Sequence, residues 1–211
     1  MKFKLTKMEK NWVLYDVGNS AFTMMVSTIF PIYFNTLAGN AGISDVDYLA
    51  YWGYAVSVST LLVALIGPIL GSVADTKNYK KKIFGIVMAA GIAGCILLGF
   101  LSSWFWFLVV FILAKTGYSA SLVFYDAMLP DITEPERMDR VSSHGYAWGY
   151  IGSCIPFAIS LLIVLFGGNI GLSAQQSMII AFLITAVWWG CSALPLMKHY
   201  KQRYYAQAGN H

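Results

Sequence analysis

Charge is the scarcest property of this sequence. Only 11% of its 211 residues are Asp, Glu, Lys or Arg, while 58% are hydrophobic. A soluble domain carries about 25% charged residues. The chain therefore lacks the material for a polar exterior and reads as a polytopic membrane protein. Cysteine is sparse too. Cys95, Cys154 and Cys191 lie in three different apolar runs with no CxxC spacing, so each reads as a small core residue. The three histidines, His144, His199 and His211, form no helical metal-ligand pair. No metal site and no cofactor are expected. The formal net charge of +4 would suggest nucleic acid in a soluble chain. Here it follows from where the lysines sit, and no nucleic-acid partner is expected. No low-complexity segment or soluble domain is visible.

What the chain has in abundance is long apolar runs. Crossing the hydrocarbon core takes about 20 mostly apolar residues. Six runs qualify, at about 12–34, 48–74, 83–101, 104–129, 141–166 and 177–197. In lipid only helices or closed barrels satisfy the backbone, and runs this long and continuous are helices. The basic N-terminus before the first run has the look of a signal peptide. The run is too long and has no small-residue cleavage site, so it reads as a retained first helix. With the N-terminus inside, segments 1–11, 75–82, 130–140 and 198–211 are cytoplasmic. They hold Lys2, Lys4, Lys7, Lys10, Lys77, Lys80, Lys81, Lys82, Arg137, Arg140, Lys198, Lys201 and Arg203, which is every Lys and Arg except Lys115. The outside loops hold none. That split predicts six helices with both ends in the cytoplasm of a plasma-membrane protein. Trp104 and Trp106 fit an aromatic belt at the outer surface. Pro31, Pro68, Pro156 and the pairs Gly67/Gly71 and Gly145/Gly149 read as close helix packing with mild kinks, or as hinges of a moving transporter.

Polar residues inside the runs carry the chemistry. In the first helix Asp16, Asn19, Thr23 and Ser27 fall at i, i+3, i+7 and i+11, on one face. A polar stripe faces protein or water rather than lipid. The plainer reading is that Asp16 anchors the cytoplasmic end. In the fourth helix Lys115 and Asp126 share a face about 16 Å apart along the axis, with Tyr118, Ser119 and Leu122 between them or nearby. A mid-membrane lysine costs about 2.5–3.5 kcal/mol on insertion scales. With no acid at its depth, its offset is a substrate anion, a water chain or an acid from another chain. The loop 130–140 mixes acids and bases and reads as a solvated turn with weak local salt bridges; the alternative is a gating role in which it pairs with the lysine-rich hinge, which no spacing supports. Gly117-x-Ser119-Ala120 weakly matches the nucleophile motif of rhomboid proteases. His144, the sole intramembrane base for it, sits far away in depth and on the wrong helix. An intramembrane serine protease is thus a remote alternative, and no enzyme activity is expected.

Three motifs together carry a resemblance. Gly71-x-x-x-Asp75-x-x-x-x-Lys80-Lys81-Lys82 resembles the loop between helices two and three of major facilitator superfamily transporters. Asn78 stands where that loop usually has glycine, and Asn tolerates the left-handed conformation. The run from Trp12 to Phe22, with Asp16 and Asn19, looks like one branch of that superfamily. So do Phe124-Tyr125-Asp126-Ala127-Met128-Leu129-Pro130-Asp131-Ile132 and the stretch from Asp139-Arg140 to Gly152. The branch includes the autophagy-related vacuolar amino-acid effluxers and their bacterial relatives.

The resemblance implies an all-α integral membrane fold of six transmembrane helices, one major facilitator half made of two inverted three-helix repeats. It implies a secondary active transporter of a small polar metabolite, with amino acids as the implied class, working by alternating access. The first and fourth helices would line its cavity, giving Asp16, Asn19, Thr23, Lys115, Tyr118, Ser119 and Asp126 as substrate and proton residues. Gly71, Asp75, Lys80, Lys81, Lys82 and Arg140 would form the gating loop. The implied partners are the bilayer, a small-molecule substrate and a second six-helix half or a homodimer copy. A truncated product or fragment is the favoured reading of the half length. A non-transporting membrane interaction protein is the alternative function.

Overall fold

The computed structural model describes residues 3–206, so Lys2 and His211 lie outside the described residues. The chain runs through α1 (Lys7–Ser27), α2 (Ile29–Asn40), α3 (Asp45–Ala74), α4 (Lys80–Leu98), α5 (Trp104–Ile132), α6 (Pro135–Phe166), a 3-10 turn (Gly167–Ile170) and α7 (Ala174–His199). Among the described residues, six helical stretches are long and apolar enough to cross a membrane, with α1 and α2 together making the first.

The helices begin before the apolar runs because polar caps start them. Thr6 and Glu9 form a capping box at α1, and Ser173 and Gln176 form another at α7. Ser44 accepts from the amide of Asp47 at α3. The first span breaks at Thr28, three residues before Pro31. Pro31 has no N–H for the carbonyl of Ser27, and its ring crowds that turn. The stretch 130–140, read as a solvated loop, is mostly helical. α5 continues to Ile132 and α6 opens with Pro135 at its first position, leaving two residues between them.

The packing follows an exchange rule. The first span packs on the fifth and sixth, and the fourth packs on the second and third. Exchanging spans one to three with four to six maps each pairing onto another and maps the contact of α4 with α7 onto itself. Successive spans run in opposite directions, so a shift of three spans reverses direction. The two triplets are therefore inverted repeats. α3 and α6 correspond under this exchange, and they are the least buried of the six spans.

Small residues set the closest contacts. A Cβ at Gly117 would come within 2.7 Å of the Gly91 nitrogen and of the Val87 carbonyl oxygen, so α4 and α5 touch backbone to backbone. Gly117→Val is expected to cost about 1–3 kcal/mol through overpacking. A lowered thermal midpoint in detergent is the readout, and an unchanged midpoint would contradict this contact. By contrast, Gly67 and Gly71 have nothing within 4 Å, so their spacing does not serve packing within the described residues. The cysteine reading needs a similar correction. Cys95 is buried, but Cys154 and Cys191 are exposed on the outside of the bundle. A lipid-facing surface is itself apolar, so a small thiol there carries little penalty.

Ion pairs fasten the end of the bundle at which α1 begins. Glu9, almost fully buried, accepts from Arg137 at 2.7 and 2.8 Å and from the Thr133 hydroxyl at 2.6 Å. The ammonium of Lys80 lies 3.1 Å from Asp131. Asp131 also accepts from the Tyr200 hydroxyl and from the amides of Arg203 and Tyr204 at 2.8 Å. Burial first, then the Asp131 carboxylate, push the Tyr200 phenol above its ordinary pKa, which keeps it a donor. Residues 200–206 cross the hinge as an extended strap. Gln202 donates to the Ala74 carbonyl, and the Ala206 amide donates to the Asp75 carbonyl at 2.8 Å.

Candidate substrate cavity

The polar stripe of the first span faces a cavity of about 530 Å³, within the usual size range of small-molecule sites. α1 contributes Trp12, Asp16, Asn19, Ser20 and Thr23, one face repeating at helical spacing. α5 contributes Tyr118, Leu122, Tyr125 and Asp126. α6 supplies Ser142, Tyr146, Tyr150 and Ser153.

Asp16 is fixed from two sides. The Asn19 amide donates to it at 3.3 Å while also donating to the Tyr15 carbonyl at 3.1 Å. A Cβ at Gly145 or Gly149 would sit 3.3 or 3.2 Å from the Asp16 Oδ2. The Gly145/Gly149 pair therefore makes room on α6 for this carboxylate, which is a more specific role than general packing. Gly149→Val is expected to displace Asp16 and reduce cavity function with smaller loss of folded protein. The checks are substrate flux and yield in the membrane measured side by side. Trp12 stacks on Tyr125 at 4.1 Å between ring centroids, and its indole N–H donates to the Tyr125 carbonyl. The Tyr125 hydroxyl is buried without a hydrogen-bond partner among the described residues.

The structure brings together Asp16, Asn19, Thr23, Tyr118 and Asp126 of the residues expected from sequence. Lys115 and Ser119 are not among the cavity's lining residues. The Lys115 ammonium donates to the Ser119 hydroxyl at 3.1 Å and sits 5.3 Å from the Tyr118 ring centre. The Tyr118 hydroxyl in turn bonds Thr23 in the cavity. Ser119 and His144 have separate partners, because His144 Nδ1 meets the Arg140 carbonyl at 2.8 Å. The α6 wall was missed in the sequence reading. Its residues stand at i, i+4, i+8 and i+11, the same kind of count that exposed the α1 stripe, but tyrosine and serine carry no charge to draw attention.

The residues of the expected gating loop take distinct places. Asn78 has φ 68°, the left-handed turn normally given to glycine. Gly71 and Asp75 lie at the end of α3, and the Asp75 side chain is exposed. Lys80 is buried in its pair with Asp131, Lys81 is half-buried, and Lys82 lies over the Tyr79 ring. Arg140 faces the Phe3 ring at 5.6 Å. The hinge and the α5 end, which sequence spacing gave no reason to join, are thus tied through Lys80 and Asp131.

Residues 6–209 match the family described as vacuole effluxer Atg22 like. The chain is 41% identical over 216 residues to the uncharacterized MFS-type transporter YxiO of Bacillus subtilis (strain 168). That match covers 100% of this chain and 50% of the relative, so the chain spans about half the length of the curated relative it matches. No solved structure matches the chain.

Proposed function

The chain belongs to the vacuole effluxer Atg22-like family of MFS-type membrane transporters, and from that premise we propose that it forms the cavity-bearing half of a secondary active transporter. The proposed cargo is a small polar metabolite of the amino-acid class, moved by alternating access across the plasma membrane, with both termini cytoplasmic. The observation that carries the proposal is the convergence of three polar helix faces, from α1, α5 and α6, on one cavity holding Asp16 and Asp126. Intramembrane carboxylates are costly and mark substrate or proton paths. Lys115 behind the Tyr118 ring attracts the carboxylate end of the cargo, and Asp16 or Asp126 takes a proton or the cargo amine. The little-buried pair α3 and α6 offers the apolar surface for a second half. Gly71, Asp75, Lys81, Lys82 and Arg140 lie at the cytoplasmic end, where gating against that half would occur.

The test is flux in proteoliposomes. This chain is joined to the half of the Bacillus subtilis relative that it does not match, and release of radiolabelled amino acids is followed under an imposed proton gradient. Saturable flux above empty vesicles is expected. Correctly inserted protein with no flux for any amino acid would instead favour a non-transporting interaction role.

A further inference from the structure

A second space of about 1040 Å³ opens on the outside of the bundle, between α4, α7 and the strap. Its mouth carries three ammonium groups, those of Lys81, Lys82 and Lys201, and no acid among the described residues lines it. None of the three lysines has a carboxylate partner among the described residues, where the ion pairs are Lys80–Asp131 and Arg137–Glu9. Asp131, which the lining Tyr200 contacts, is already satisfied by Lys80 and the strap amides. Lys201 is held at the mouth because both its neighbours are fastened, Tyr200 to Asp131 and Gln202 to the Ala74 carbonyl.

Away from the mouth the surface turns apolar. Lys81, Gly85 and Ala89 stand at i, i+4 and i+8 on α4, and the exposed Ile86 stands one turn after Lys82. One face thus passes from ammonium to hydrocarbon over about 12 Å. The 19 residues of α4 are just long enough to cross a hydrocarbon core of about 30 Å. The lysines at its start therefore lie at the level of lipid headgroups, and Ala89 lies among the acyl chains. Gly85 keeps the groove low. A Cβ there would meet only the flexible end of Met197, at 2.9 Å. No lining residue comes from α3 or α6, so a second half seated on that pair leaves the groove facing lipid.

We infer that this groove binds one anionic phospholipid, with its phosphate against Lys81, Lys82 and Lys201 and one acyl chain along Gly85, Ala89 and Met197. A soluble anion would use the lysines and leave the apolar floor without a role. A zwitterionic lipid brings its own cation and gains less from three lysines. The site goes beyond the transport reading and needs only that α4 and α7 lie in a bilayer.

The test counts bound lipid. The full chain in detergent is titrated with palmitoyl-oleoyl phosphatidylglycerol, and separately with phosphatidylcholine of the same chains, and read by native mass spectrometry. One phosphatidylglycerol is expected to bind about tenfold or more tightly than phosphatidylcholine, since each lysine near an anionic lipid is worth about fivefold. Lys81→Gln with Lys82→Gln and Lys201→Gln is expected to remove that preference. Lys4→Gln with Lys7→Gln and Lys10→Gln takes as much charge from exposed positions at the same end and is expected to keep it. Ala89→Trp fills the floor and is expected to weaken phosphatidylglycerol about fourfold or more, the worth of one buried methylene. Glycerophosphoglycerol, the same headgroup without chains, is expected not to displace the lipid.

Equal binding of the two lipids, equal losses in the two triple variants, or unchanged binding in Ala89→Trp would overturn the inference. Displacement by glycerophosphoglycerol at matched concentration would overturn it in favour of a soluble phosphate ester. The lipid comparison and the competition use the unaltered chain, so they decide the matter even where a variant fails to insert.

Discussion

Asp131→Ala is expected to leave little folded protein in the membrane. The Asp131 side chain is fully buried, and that of Lys80 is 7% exposed. Removing the carboxylate leaves the Lys80 ammonium with only the Ala127 carbonyl, at 3.1 Å. Breaking a buried pair from one side costs about 3–5 kcal/mol, because the remaining charge is uncompensated. The change also orphans the Tyr200 hydroxyl and the amides of Arg203 and Tyr204. Those donors can return to water when the strap lifts, so the dominant loss is the lysine. Adding Lys80→Met removes that charge and is expected to recover part of the stability, but not the strap. Glu9→Gln makes a useful contrast. Its partner Arg137 is 30% exposed and can be hydrated, so a smaller loss is expected. Thermal unfolding in detergent ranks the four proteins. A midpoint for Asp131→Ala equal to that of the parent would refute the ranking.

Lys115→Met is expected to cut amino-acid flux by the assembled transporter about ten- to hundredfold, the effect of losing a charged hydrogen bond of about 1.5–3 kcal/mol. Insertion should not suffer, because a mid-membrane charge is itself a cost. The methionine preserves length and packing against Tyr118, so the variant tests charge alone. Lys115→Arg keeps the charge but spreads it over a planar fork that does not reproduce the Ser119 contact, and an intermediate flux is expected. Unchanged kinetics in Lys115→Met would remove this lysine from the cargo path and leave it as a structural donor to Ser119.

The same residues show what a sequence makes legible. Six spans follow from hydropathy because lipid imposes one rule on every residue of a span. The Asp16, Asn19 and Thr23 face follows from helical spacing, and the left-handed Asn78 follows from steric tolerance. A pairing of the lysine-rich hinge with the 130–140 stretch was conceivable from sequence, but its partners, Lys80 and Asp131, were not legible. Its members stand 51 residues apart, and each lies among other charges that look solvated. No periodicity connects two helix ends that meet only through the packing of α4 on α5. The α6 wall was concealed differently. Its spacing was in view, but a stripe of tyrosine and serine resembles an interfacial face until the cavity is seen. The break at Thr28 comes from Pro31, whose position within the first turn of α2 hides the interruption in a continuous apolar run.

The Asp131 carboxylate also imposes an order of assembly. Two of its donors, the amides of Arg203 and Tyr204, are made 72 and 73 residues after it. Arg203 and Tyr204 emerge from the ribosome only after the whole of α7. A nascent chain that has inserted five spans therefore carries a carboxylate satisfied by Lys80 alone. This end of the bundle is finished last, when the strap arrives and closes over the start of α4. The strap thus acts as a completion mark, since a chain in which the sixth span has failed to insert cannot bring Tyr200, Arg203 and Tyr204 to Asp131.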